Sequence, residues 1–149
     1  MTRLNRERLD SGVFPVVSEI PTRVGDVDMQ RHINNVAIVA LFQEGRSLLN
    51  REAKLSTVAT GMRLRPMVAG ITVEYAGETF WPDPVEVHTG VISLGRSSFV
   101  LGQVLRQRGR STAYAEVAMV LADKNGPAAL PAELRGLYDT LRIAWPAAS

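Results

Sequence analysis

Between Val36 and Arg51 the apolar positions Ile38, Leu41, Phe42, Gly45, Leu48 and Leu49 step by three and four, the spacing of one α-helical face. Gln43, Glu44, Arg46, Ser47 and Asn50 fall on the other side, which the pattern assigns to solvent or a partner. Asn34 and Asn35 stand where an N-cap belongs. At 1.5 Å per residue the helix is about 24 Å long, a long element for a small domain.

The rest of the pattern is mostly strand. Val16 to Val24 is β-branched and half polar, and its Pro21 marks an edge or a bend. Gly25 to His32 follows neither period and is rich in turn formers. Past Ser56 to Gly61, read as a Ser/Thr/Gly loop, come Val68 to Ala76, Val85 to Leu94, Ser97 to Arg108 and Thr112 to Ala122. Their links, with Gly77, Pro82 and Pro84, then Gly95-Arg96, then Gly109-Arg110, suit antiparallel neighbours, and the simplest topology is a meander. Lys124 to Pro127 closes the last strand, and Pro131 to Tyr138 predicts a short helix with proline in its first turn. One long helix against a curled antiparallel sheet is an α+β layer fold. Such a helix covers only part of the sheet, so two subunits are expected to join edge to edge.

Composition narrows the class. With 149 residues the chain is expected to be one domain over 1–149, residues 1–14 forming a flexible or loosely packed segment. No cysteine is present, which removes disulfides, thiol nucleophiles and cysteine-ligated metals. Seventeen basic residues oppose fifteen acidic ones, too even a balance to point to nucleic acid or a membrane surface. The polar Met1 to Asp10 carries Arg3, Arg6 and Arg8 with no apolar signal run after it, and no apolar stretch nears the roughly 20 residues of a membrane helix. The expectation is a cytoplasmic protein.

The segment Asp26-Val-Asp28-Met-Gln-Arg31-His32-Ile-Asn34-Asn35, followed by Leu41-Phe42-Gln-Glu44-Gly-Arg46, resembles the 4-hydroxybenzoyl-CoA thioesterase-like branch of the hot-dog-fold acyl-CoA thioesterases. Val73-Glu74-Tyr75, Asp83-Pro-Val85-Glu-Val87, Gly95-Arg96-Ser97-Ser98-Phe99, Asp123-Lys-Asn-Gly126 and Pro131-Ala-Glu-Leu134 extend the likeness over about Ser18 to Leu137. Arg31 departs from a common glycine and Ile38 from a frequent aromatic. The resemblance implies a hot-dog fold, with the sheet wrapped around one central helix, and hydrolysis of an acyl-CoA or acyl-carrier thioester without cofactor. The edge-to-edge joining expected above makes a homodimer, with a dimer of dimers left open.

Thioester hydrolysis needs a nucleophile at the carbonyl carbon and stabilisation of the developing oxyanion. With only His32 and His88 and no Gly-x-Ser-x-Gly elbow, a serine triad has little support, and a carboxylate is the remaining candidate. By the resemblance, Asp28 is the catalytic acid, as general base or nucleophile, and Asn35 aligns with a polar position that orients water or carboxylate; His32, a candidate base, completes the expected catalytic set. Backbone groups from Asn34 through Val36 to Ile38 are then the oxyanion hole at the positive helix end, and Arg96, Ser97 and Ser98 contact substrate. Taken alone, Asp28 also fits an Asx turn, Asn34 and Asn35 fit capping, and Glu44 a solvated helix position. Arg106, Arg108 and Arg110 compete with Arg63, Arg65, Arg96 and Lys124 for CoA phosphates. Two distant histidines give no metal signature, and no metal is expected. Two other hot-dog readings stay open: a hydratase, although the Asp-x-Asn-Pro-x-His spacing is missing, and a non-catalytic binding module in which Arg31 closes the water path.

Overall fold

The amphipathic stretch folds as α2, Asn35–Glu52, with Asn34 as its N-cap. The computed structural model describes residues 3–147, and expectations for 1–2 and 148–149 lie outside the described residues. α2 buries Ala37, Ile38, Leu41, Phe42, Gly45 and Leu49, as the spacing predicts. It also buries Arg46, which the pattern put on the outer side, and leaves Leu48 only half-buried. The curl of the sheet around the helix widens the buried stripe.

The strands are β1 (Val16–Ile20), β2 (Arg65–Tyr75), β3 (Val85–Leu94), β4 (Ser98–Gln107), β5 (Arg110–Asp123) and β6 (Gly126–Pro127). Their order is β1-β3-β4-β5-β2, antiparallel throughout, with β6 on β5. Only β3, β4 and β5 form the expected meander. The chain between β2 and β3 crosses from one edge of the sheet to the other side, so β2 pairs with β5 rather than with β3.

Period-two alternation decides which side chains meet the helix. Val85 and Val87 of β3, Leu105 of β4, and Ala113 and Ala115 of β5 pack in one cluster with Ile33, Ala37, Ile38, Leu41 and Phe42. The two small alanines share this cluster with the large Ile38 and Phe42, and full burial of Phe42 contributes about 1.5–3 kcal/mol. Farther along, Val117, Met119 and Leu121 join Leu49, Phe99 and Leu101 in a second cluster.

Three further helices close the layers. α1 (Arg6–Ser11), capped by Asn5, packs Leu9 on the opposite sheet face with Leu4, Phe14, Val104, Tyr114 and Ile143. The N-terminal segment, expected to be loose, is thus docked along its described part. The Leu4 amide donates to Glu74 at 2.7 Å, as does the Arg6 guanidinium, and these bonds hold the Glu74 carboxyl below its ordinary pKa. The expected loop at 56–61 is instead α3 (Leu55–Gly61), anchored by buried Leu55 and Ala59 one turn apart. α4 (Ala132–Asp139) follows Pro131 and buries Leu134 and Tyr138. Among the described residues, no helix is long and apolar enough to cross a membrane.

Gly45 sets how closely α2 approaches the sheet, because a Cβ there would collide with the Val87 side chain and crowd Gln103 and Thr89. Gly45→Ala gains about 1 kcal/mol of helix propensity but introduces about 1–3 kcal/mol of overpacking. Thermal denaturation is expected to show a lower melting temperature for this variant. An increase would mean that the contact relaxes freely.

Candidate active site

Beyond β1 the chain passes a single 3-10 turn, Val24–Asp26, and enters a small hairpin in which Val27 bridges Ile33. The Asp28 amide donates to the His32 carbonyl at 2.8 Å, and the Arg31 amide donates to the Asp28 carbonyl at 3.0 Å. Together with Arg31 at φ 68°, these bonds make a three-residue loop closed by a left-handed position. That backbone explains why glycine suits position 31 and keeps the same path with arginine. Arg31 is exposed and does not line the cavity that Asp28 borders, so it leaves that cavity open.

The Asp28 carboxylate holds its own loop together, because its Oδ1 accepts from the amides of Gln30 at 2.9 Å and His32 at 3.0 Å. Its second oxygen has no hydrogen-bond partner among the described residues. The other acid of the pair is spent differently. Asp26 is gripped at 3.0 Å through both oxygens by the Arg23 guanidinium, whose hydrogen bond holds the carboxyl below the usual carboxylate range. Asp26 borders a cavity on another side of α2, with Glu44, away from Asp28. Hence Asp28 is the acid with an uncommitted oxygen.

Asn34 joins this loop to the helix. Its Oδ1 accepts from the Ala37 amide at 2.8 Å, and its backbone and side-chain N–H groups both donate to the Asp26 carbonyl at 2.9 Å. The Ile38 amide is engaged by the Asn34 carbonyl. Of the helix N-terminal donors, the Asn35 and Val36 amides have no acceptor among the described residues. Of the backbone donors over residues 34–38, these two are the ones left uncommitted among the described residues.

The loop is stitched to the rim of the sheet. The Ile33 amide donates to the Thr79 carbonyl at 2.8 Å, and the Thr79 and Thr112 hydroxyls bond to each other at 2.8 Å. The buried Gln107 side chain accepts from the Phe80 amide at 2.8 Å and donates to the Phe80 carbonyl at 2.7 Å. The Tyr75 hydroxyl, its pKa raised by burial, donates to the Asn35 carbonyl at 3.0 Å and ties β2 to the start of α2. His32 stands edge-on to Phe80, with its Nε2 3.4 Å from Glu78.

Together these residues enclose a cavity of about 160 Å³ bordered by Asp28, His32, Asn35, Tyr75, Thr79 and Thr112. Three predicted site residues, Asp28, His32 and Asn35, thus meet, Asp28 on the exposed rim. Asn34 caps from behind, and Val36 is exposed at the helix end. Arg96, Ser97 and Ser98 are not brought to this place within one chain. They sit at the β3–β4 turn, whereas the far end of β4 holds Gln107, and ten strand residues span about 30 Å. Sequence reasoning missed Tyr75, Thr79, Gln107 and Thr112. The signal for Gln107 was a strand amide spaced in phase with the inward positions.

A sequence profile of the Thioesterase-like superfamily matches residues 22–137. No curated protein sequence matches the chain. Among solved structures, the chain is similar to a thioesterase from Thermus thermophilus complexed with coenzyme A and zinc, at 26% identity and TM-score 0.74, covering 86% of this chain and 95% of that one. It is similar to the PA5185 protein from Pseudomonas aeruginosa at 25% identity and TM-score 0.75, covering 92% and 94%. It shares its fold with a predicted thioesterase from Bacillus stearothermophilus at 23% identity and TM-score 0.77, covering 88% and 98%. Among the described residues, no three His, Cys, Asp or Glu side chains are grouped to hold a metal.

The left-handed backbone at Arg31 yields a stability test. Arg31→Gly relieves about 1 kcal/mol of strain and returns part of it as unfolded-state entropy, so its melting temperature is expected to match or exceed wild type. Arg31→Val is expected to lose about 1–2 kcal/mol in the same thermal melts. A glycine variant less stable than the valine variant would contradict the loop geometry.

Proposed function

Because the chain belongs to the Thioesterase-like superfamily, we propose that it hydrolyses an acyl-CoA thioester at the cavity beside the start of α2. The observation that carries this reading is one cavity bordered both by Asp28, an acid with a free oxygen, and by Asn35, the first residue of α2, whose amide is uncommitted like that of the next residue, Val36.

In this reading the thioester carbonyl oxygen lies against the Asn35 and Val36 amides, where the helix dipole favours negative charge. Asp28 uses its free oxygen as general base on a water, or attacks the carbonyl carbon itself. Either way the carbon–sulfur bond breaks, one water is consumed, and free acid and CoA thiol leave. His32 and Asn35 border the same cavity, and in this reading they orient the water.

A homodimer belongs to the same proposal. β2 is an 11-residue edge strand whose Met67, Val68, Ile71 and Tyr75 are exposed. Pairing it antiparallel with a second copy about a two-fold axis hides both edges. That operation sets the Pro66 end of one β2 beside the Tyr75 end of the other. The Arg96 to Ser98 turn of one subunit then lies at the same end as the Asp28 cavity of the other. This arrangement supports the substrate-contact role proposed for Arg96, Ser97 and Ser98.

Asp28→Asn is the decisive variant, because asparagine still offers an Oδ1 to the Gln30 and His32 amides and so preserves the turn. Thiol release from a panel of acyl-CoAs is expected to fall by about 10²-fold or more while the thermal melt is unchanged. Wild-type turnover in the folded variant would remove Asp28 from the chemistry.

A further inference from the structure

Two hydroxyls in contact carry two hydrogens, and only one of these can lie between the oxygens. The Thr79 and Thr112 Oγ1 atoms are 2.8 Å apart, and neither has another hydrogen-bond partner among the described residues. One O–H of the two is therefore without a protein acceptor. Thr79 is 3% exposed and Thr112 5%, so the spare donor is shielded from bulk solvent, where leaving it unbonded costs free energy.

Both threonines border the cavity of about 160 Å³ that Asp28, His32 and Asn35 also border. Thr112 additionally walls a wider depression with Gly77 and Glu78, whereas Thr79 belongs to the Asp28 cavity. Their positions relative to Asp28 are fixed by backbone. The Thr79 carbonyl accepts from the Ile33 amide of the Asp28 hairpin at 2.8 Å, and the Thr112 carbonyl accepts from the Ala76 and Gly77 amides at 2.9 and 3.1 Å. Neither hydroxyl bonds the Asp28 carboxylate, whose partners are the Gln30 and His32 amides. Asp28 lies on the exposed rim and the threonines are buried, so a group passing inward from the acid meets them next. The cavity is about half the size of a small ligand pocket of about 300 Å³, which suits a short acyl group, and Ile33 and Ile38 supply its apolar wall.

We propose that Thr112 donates to Thr79 and that Thr79 gives its spare hydrogen to an oxygen on the acyl group. Short acyl thioesters with a hydroxyl or oxo group on the second or third carbon are then the preferred substrates. The inference rests on the thioesterase reading and adds to it a substrate class. An alkyl chain of equal length leaves the buried O–H facing carbon, and that lost bond is the source of discrimination. Thr79 is then a specificity residue and Thr112 a positioning residue that orients it.

The test compares lactoyl- with propionyl-CoA, and 3-hydroxybutyryl- and acetoacetyl- with butyryl-CoA, on wild type, Thr79→Val/Thr112→Val and Thr79→Val. Replacing both hydroxyls by methyls of the same shape strands no donor, so the double variant is expected to melt close to wild type. Wild type is expected to favour an oxygenated member by about tenfold or more in kcat/KM in at least one comparison. The double variant should lose that preference and cleave propionyl- and butyryl-CoA at least as fast as wild type, whereas a merely structural role lowers both series together. Absence of a wild-type preference overturns the proposal whether or not the variants fold. A preference that survives in the double variant does so too, as does an equal loss on both series. If the double variant does not fold, Thr79→Val is read by the same criteria. Cleavage of octanoyl- or benzoyl-CoA with none of the five short thioesters cleaved overturns the proposal and leaves the thioesterase reading standing. If no thiol is released from any of these, the thioesterase reading fails by itself. Calorimetric titration with 3-hydroxybutyryl-CoA and butyryl-CoA then decides the threonines: tighter binding of the hydroxylated ligand that the double variant abolishes supports the site, and equal binding overturns it.

Discussion

A single carboxamide fixes the relation between the loop that carries the acid and the helix that carries the positive end. Asn34 bonds forward to the Ala37 amide and backward to the Asp26 carbonyl, so the hairpin and α2 cannot rotate independently. N-caps are ordinarily local devices that satisfy one orphan donor. This one also sets where Asp28 stands. By occupying the Ala37 amide it leaves those of Asn35 and Val36 as the free donors at the helix entrance.

The two acids of the Asp-x-Asp segment show how environment separates roles that sequence cannot. They are two residues apart, yet Asp26 has both oxygens held by Arg23 while Asp28 keeps one free. The half-engaged state suits chemistry. Two amide donors hold the Asp28 carboxylate in one rotamer and leave its other oxygen at the cavity rim. The Gln107 and Thr79–Thr112 bonds stiffen the rim from behind, so the cavity wall is part of the sheet rather than a loose loop.

Strand existence and the long helix were legible because each obeys one period over ten residues or so, and burial on one face imposes that period. Pairing order was not legible. Nothing in the alternation of Val68 to Ala76 distinguishes a neighbour of β3 from a neighbour of β5, and the crossover at 76–84 decides it. α1 and α3 were missed for a related reason: one or two turns with a single apolar pair carry no visible periodicity, and tertiary cover creates the helix. At the site, Asp28, His32 and Asn35 were reachable because they lie within one local hairpin and helix start. Tyr75, Thr79 and Thr112 come from strands far away in the chain, and only register unites them. Arg46 was misassigned because a helical wheel counts polarity, while a curled sheet buries more than the apolar stripe.

Binding of the reacting carbonyl at the entrance of α2, with Asp28 alongside, is read directly by amide resonances. Titration with an acyl-CoA analogue carrying a methylene between carbonyl and sulfur is predicted to shift the Asn35 and Val36 amides saturably, together with those of Gln30 and His32. Saturation of the protein by this analogue with all four resonances unmoved would contradict the account.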